Sequence, residues 1–433
     1  MKILNFLLVN FLLIFSFQMS YSQTIYRIGN SNDVTSNPLP GVVLAGGAED
    51  NIFAMKWFVQ RADEGDIVVL LFDGDDFYNA YFYNEVGIRT NSVTTIIVSS
   101  AEEANDDEVE QLVLNAEALF IGGNNQWDIL SNWKGTKLFD AINYLINDKG
   151  VTIAGSSAGM SILGEVVFTS QWGNAMSSAA LENPYNYKIK FDREVFSVPF
   201  LQNTITDTHY NRPQIDGIDR KGRHFTFLAR MVHDWDLPAK GIAANEYTAI
   251  TIDQNGIARV FGEPEFDDYA YFLQTWTGAP EVCTSVDSLT WYQDGKAVLA
   301  YKIKGDEHGN NTFNLSNWET GTGGDWFFWS VNNGIFKVNY TPPVGVNCCL
   351  ENENDIIVYP NPANSYLRIV IPENNFESVI KILNLQGRIV WESIIQDSSM
   401  NSITIDVSEF NPGLYMIQVL NSGKSYSKKL IKL

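Results

Sequence analysis

The sequence predicts an α/β protein: a doubly wound, mostly parallel sheet, then a β-rich extension and a small C-terminal all-β domain. Three observations predict this. Short apolar runs each end in a turn of small or polar residues: Val42 to Leu44 before Gly46-Gly47, Ile67 to Phe72 before Asp73-Gly74-Asp75, Val93 to Val98 before Ser99-Ser100, Ala118 to Ile121 before Gly122-Gly123, and Val151 to Ala154 before Gly155. Runs of that kind suit strands covered on both faces. Helix-length segments lie between them, such as Asp107 to Ala116 and Leu138 to Asn147, and a repeated strand-turn-helix order makes a parallel sheet. After about Trp276 the character changes. Aromatic pieces such as Leu289 to Tyr292 alternate with Gly/Asn turns, and Gly321 to Gly324 reads as a loop.

Four segments follow from this pattern. Residues 1–22 read as a signal peptide: Lys2, an apolar stretch from Ile3 to Phe17, and Ser20-Tyr21-Ser22 as a cleavage site. Residues 23–275 form the α/β domain, 276–355 the β-rich extension and a linker marked by Pro342-Pro343, and 356–433 the all-β domain. Alternation in Tyr366 to Val370, Ile403 to Val407 and Tyr415 to Leu420 marks strands of that last domain.

Composition bounds the function. The chain has 433 residues, 45% of them hydrophobic and 18% charged, so its bulk is globular. A net charge of -22 without a Lys/Arg block argues against nucleic acid and anionic lipid as partners. Oligomeric state is left open. Three cysteines permit one bridge, from Cys283 to Cys348 or Cys349. The four histidines have no zinc-ligand spacing. Neither a metal nor a cofactor is expected.

The most informative residues are Gly155-Ser156-Ser157-Ala158-Gly159, between a strand run and the helix-forming Met160 to Leu163. A Gly-x-Ser-x-Gly turn there holds the serine in a tight bend, which needs glycines because side chains would clash. The helix start behind it favours developing negative charge. Ser157 is therefore the expected nucleophile. Thr204 to Tyr210 reads as a strand ending in a histidine, which makes His209 the expected base. Pattern alone leaves the acid open among Glu165, Glu182, Glu194 and Glu246.

These residues resemble the cyanophycinase and dipeptidase E family of serine peptidases, whose fold is similar to class I glutamine amidotransferases. The resemblance runs from about Gly41 to Tyr271 through six ordered segments: Gly46 to Asp50, Gly123 to Gln126, Gly155 to Gly159, Asp207 to Tyr210, Arg220 to Arg223, and Gly241 to Ala249. It implies Ser157 as nucleophile, His209 as general base and Glu246 as the acid, ahead of Glu182. It also implies an oxyanion hole from the N–H of Ala158 and one from the Gly123-Asn124 turn, with Gln126, Asp207, Arg220 and Arg223 around the substrate. Family members cleave peptide or isopeptide bonds next to aspartate, and arginine suits a carboxylate by its bidentate fork. Thr208 before His209 and the inserted Pro213 to Asp219 depart from the cyanophycin cleavers. The departures bear on cyanophycin as substrate, not on hydrolase chemistry.

A second resemblance covers the C-terminus. Val358 to Ala363, Leu385-Gln386-Gly387, Pro412 to Tyr415 and the final Lys428 to Leu433 resemble a type IX secretion sorting domain. It implies the type IX machinery as a partner and export to the surface or beyond. Two readings therefore stand: a secreted serine hydrolase taking a peptide or isopeptide, or an inactive surface-binding protein on the same fold. For the second, the aromatic stretch Trp318 to Trp329 would be a contact face; a buried core is the competing reading of those aromatics.

Overall fold

The computed structural model describes residues 24–340, apart from 215, 216 and 264, and, with gaps, residues 356–432. The signal-peptide reading and Cys348 and Cys349 lie outside the described residues. Cys283 is buried and free among the described residues.

The first half of the chain alternates as expected: β1 (Thr24–Gly29), β2 (Gly41–Ala45), α1 (Ile52–Arg61), β3 (Asp66–Leu71), α2 (Phe77–Ala80), β4 (Ser92–Ile97), α3 (Asp107–Asn115), β5 (Ala118–Ile121), α4 (Gln126–Trp133), α5 (Lys137–Tyr144), β6 (Thr152–Ser156) and α6 (Ala158–Ser161). Local chemistry sets these boundaries. Asn51, Asp106, Asn125 and Thr136 cap α1, α3, α4 and α5 by accepting from backbone N–H groups of the first turn. Strands β4-β3-β5-β6-β2 pair in parallel at the centre of a 10-stranded sheet.

Period-two alternation divides these strands between two cores. Val43, Ile67, Val69 and Phe120 face α1, where Met55, Phe58 and Val59 are buried against them. Val42, Leu44, Val68, Leu70, Leu119 and Ile153 point the other way. There they meet α3, α4 and α5 through Val109, Val113, Leu130, Trp133, Leu138 and Ile142.

The second half builds a second sheet. It comprises β7 (Val166–Phe168), α7 (Ser177–Glu182), β8 (Phe191–Arg193), β9 (Thr204–Asp207), α8 (Lys221–Trp235), β10 (Lys240–Ala244), β11 (Ala249–Ile252), β12 (Ile257–Phe261), β13 (Tyr269–Thr275), β14 (Val298–Lys304), β15 (Thr312–Asn314), β16 (Gly321–Thr322), β17 (Gly324–Asn332) and β18 (Ile335–Tyr340). A second, 8-stranded sheet runs β18-β17-β14-β13-β10-β9-β7-β8. One face packs on the first sheet's core through Ile242, Phe272, Leu299, Tyr301 and Trp326. The other carries α8, with Phe225, Phe227, Leu228 and Met231 buried.

The β-rich extension adds strands to both sheets. Strands β15 and β16 join the first sheet, and β14, β17 and β18 join the second. Gly321 to Gly324 is a tight strand connection rather than a loop, because Gly323 at φ 72° turns the chain between β16 and β17. Leu289 to Tyr292 forms only isolated bridges at Thr290 and Trp291. Trp318, Trp326 and Trp329 are core residues, each at most 3% exposed, so the expected contact face is interior. No helix among the described residues is long and apolar enough to cross a membrane.

In the C-terminal region β19 (Ile357–Tyr359), β20 (Tyr366–Val370) and β23 (Ser402–Asp406) make one sheet. The other holds β21 (Ser378–Asn384), β22 (Ile389–Ile395), β24 (Gly413–Asn421) and β25 (Lys424–Lys432). Leu367, Ile369, Ile380, Ile382, Ile417 and Leu430 fill the core between them.

Candidate active site

Three strand ends meet at one place. Strand β6 ends at Ser156, β9 at Asp207 and β10 at Ala244. Strands β9 and β10 are parallel, so the residues following them emerge on one side, and the contact of Ser157 with His209 brings the end of β6 to the same place.

Ser157 occupies the turn from β6 into α6. Its φ of 54° and ψ of −115° are strained for a residue with a side chain. The turn is anchored by the Ser157 N–H, which donates to the Ala45 carbonyl at 3.0 Å. The Ser157 hydroxyl donates to His209 Nε2 at 2.8 Å, and His209 Nδ1 lies 2.7 Å from Glu246 Oε1. A carboxylate only accepts, so Nδ1 carries the ring proton and Nε2 is left to accept from the serine. Of the carboxylates the sequence left open, Glu246 is the one that reaches the histidine. It sits just beyond β10, its N–H held by Asn211 Oδ1 at 3.0 Å.

The glycines make this approach possible. A Cβ on Gly47, at φ 95°, would lie 2.5 Å from His209 Cε1. One on Gly123 would lie 3.1 Å from Ser157 Cβ and 3.5 Å from its Oγ. The Gly123-Asn124 turn thus sits against the serine on one side, and Ala158 opens α6 on the other. Gln126 begins α4 behind that turn, half-buried.

Burial pushes the His209 imidazole below its usual range; Glu246 opposes this, and the charges of Arg220 and Arg212 add to it. Arg212 Nη1 lies 3.7 Å from Glu246 Oε1, with its side chain largely exposed. Arg220 is more enclosed and donates to the Thr208 carbonyl at 2.8 Å. Its Nε–H is buried without a hydrogen-bond partner among the described residues. Burial first, then Arg223, lowers its guanidinium to about 10.

Asp207 and Arg223 differ from expectation. Each is 2% exposed, and they pair with each other: Arg223 Nε donates to Asp207 Oδ2 at 2.9 Å and Nη2 to Oδ1. Arg223 also donates to Asn174 Oδ1. Although burial works the other way, Arg223 and Arg220 hold the Asp207 carboxyl below its usual range. Paired and buried in this way, neither is open to a substrate. Sequence reasoning passed over Asn211, Arg212 and the contacts of Asp50; only proximity to His209 could have marked the first two.

A cavity of about 710 Å³ borders the acid side of the site, with Asp50, Asn211, Tyr247, Glu263 and Phe266 in its wall.

Residues 74–259 match the model of peptidase family S51, and residues 357–433 match that of the secretion system C-terminal sorting domain. The chain carries an S51 peptidase domain followed by a type IX secretion sorting domain. The S51 match includes Ser157, His209 and Glu246 and begins after the Gly46 to Asp50 loop. The sorting domain directs the protein to the cell surface or to secretion. Among solved structures, a peptidase from an acI-B1 Actinobacterium is 16% identical over 55% of this chain and 91% of its own, with a TM-score of 0.40. A DUF3244 family protein from Bacteroides vulgatus, with an immunoglobulin-like β-sandwich, is 19% identical over 18% of this chain and 83% of its own, at a TM-score of 0.17. No curated protein matches the chain.

Proposed function

We propose that this exported peptidase is a serine hydrolase that cleaves peptide or isopeptide bonds next to aspartate through an acyl-enzyme. The observation that carries the reading is the unbroken hydrogen-bonded series from Ser157 through His209 to Glu246 at a strained strand-helix turn. In the forward step Ser157 Oγ attacks the carbonyl carbon and its proton passes to His209 Nε2. The carbonyl oxygen gains negative charge, which the N–H groups of Ala158 and the Gly123-Asn124 turn would stabilise by a few kcal/mol each. The C–N bond then breaks, and His209 returns its proton to the leaving amine. Water, deprotonated by His209, releases the acid and restores the serine.

Aspartate preference rests on Arg220 in this reading. It is the arginine of the expected pair whose Nε–H is buried near the histidine without a hydrogen-bond partner among the described residues, and Gln126 lies behind the Gly123-Asn124 turn. The test has two arms. A fluorophosphonate probe should label the protein at Ser157 and fail on Ser157→Ala. A panel of α- and β-aspartyl peptides, with their asparaginyl analogues, should show hydrolysis confined to the acidic members. An unlabelled wild-type protein would remove the serine mechanism, and equal turnover of both sets would remove the aspartate preference.

A further inference from the structure

The loop Gly46 to Asp50, with Ala45 just before it, touches the segments that carry the serine, the histidine and the acid. The Ala45 carbonyl just before it accepts from Ser157 N–H at 3.0 Å, Gly46 O from His209 N–H at 2.8 Å, and Gly47 O from Tyr247 N–H at 3.0 Å. Its last residue makes the remaining link. Ser156, beside the serine at the turn, donates its hydroxyl to Asp50 Oδ1 at 2.6 Å, while Tyr78 of α2 donates to Asp50 Oδ2 at 2.8 Å. Tyr81 adds a contact to the Asp50 carbonyl at 3.4 Å.

We propose that Asp50 is a positioning residue for the nucleophile: its carboxyl fixes Ser156 against the Tyr78 hydroxyl and so holds the backbone that keeps Ser157 aimed at His209. This rests on the reading of Ser157 as nucleophile. A positive φ on a residue with a side chain persists only where the surroundings over-determine it. Here the backbone bond to Ala45 fixes one side of the turn, and the Ser156–Asp50 contact fixes the other. Two hydroxyl donors on two carboxyl oxygens suit an acid. An amide keeps one acceptor and can still donate to the Tyr78 oxygen. Burial pushes the Asp50 carboxyl up, opposed by both hydroxyls, so the group is held by its contacts rather than by solvent.

The experiment measures fluorophosphonate labelling rates at Ser157 and steady-state kcat and KM on a cleaved aspartyl peptide, using the full chain. Displacements of about 1 Å at a reacting group cost around 10²-fold. Asp50→Ala and Ser156→Ala should each slow labelling and kcat by about 10- to 100-fold with KM unchanged. The double variant should lose no more than either single one, and Asp50→Asn should recover part of the rate. Ser156→Ala removes only a hydroxyl, so it gives a reading even where Asp50→Ala fails to fold. Wild-type rates in Ser156→Ala, or additive losses in the double variant, would overturn the proposal while leaving the nucleophile in place. Absence of labelling in the wild-type protein would remove the nucleophile reading and this inference together.

Discussion

Ser157, His209 and Glu246 act as one unit on the proposed mechanism, so their removal should be non-additive. Ser157→Ala and His209→Ala should each lower kcat by about 10⁴-fold or more on a cleaved peptide, and the double variant should fall no further. Glu246→Gln should lose about 10²- to 10⁴-fold, because an amide can present its N–H to Nδ1 and favour the wrong tautomer, and it carries no charge to stabilise the imidazolium. Wild-type turnover in any of the three would contradict the assignment. The pH profile follows from His209, which must be neutral to accept the serine proton. Its folded range is lowered below the ordinary 6.5 by burial. The acid limb of kcat/KM should therefore lie below pH 6.5, with activity rising as pH increases through it and full at neutrality. Measuring kcat/KM from pH 4 to 8 checks this; a limb above 7 would mean that another group controls the rate.

At the level of elements, α8 carries two buried groups that the mechanism does not use. Arg223 neutralises Asp207 beneath the histidine-bearing segment. Removing one partner strands a buried charge, so Arg223→Ala should lower stability by about 3–5 kcal/mol in denaturant titrations. A loss under 1 kcal/mol would show the pair to be dispensable. His224, on the same helix, is fully buried. Its Nε2 lies 3.2 Å from the Ile205 carbonyl and its Nδ1 3.2 Å from the Tyr210 hydroxyl, an arrangement suited to one ring proton. Burial pushes its imidazole down to about 4. The unfolded chain, with an ordinary imidazole, binds the extra proton first as pH falls. Stability should therefore decline from about pH 6.5 to pH 4 and be fully present above 6.5. Melting temperatures across that range should show the slope, and His224→Gln should flatten it.

The described residues divide into cores that share no residues. The three clusters of residues 42–331 and the cluster of 356–430 are separate, so removing residues 356–433 should leave the peptidase core folded. Deleting residues 356–433 should trap a soluble protein in the periplasm that still labels with a serine probe. Surface delivery of that truncation, followed by fractionation and immunoblotting, would contradict the role of the C-terminal domain in export.

The chain's own pattern determined where strands lie, since β5 (Ala118–Ile121) and β20 (Tyr366–Val370) are read off as apolar or alternating runs with the same ends. It also marked the serine turn, because glycine spacing around a bend is a local requirement. Local pattern could not decide partners. Glu246 competed with other carboxylates until β10 ran parallel to β9 and carried it to within 2.7 Å of His209. Arg220 and Arg223 look alike in the sequence, yet one side chain reaches the Thr208 carbonyl and the other is consumed by Asp207. The strands after Trp276 were legible as strands but not as members of two sheets, because pairing among distant segments is set by which buried faces meet. Asp50 shows the same limit: a loop acid by sequence, it becomes a contact of the nucleophile's neighbour only once β2 and β6 lie side by side.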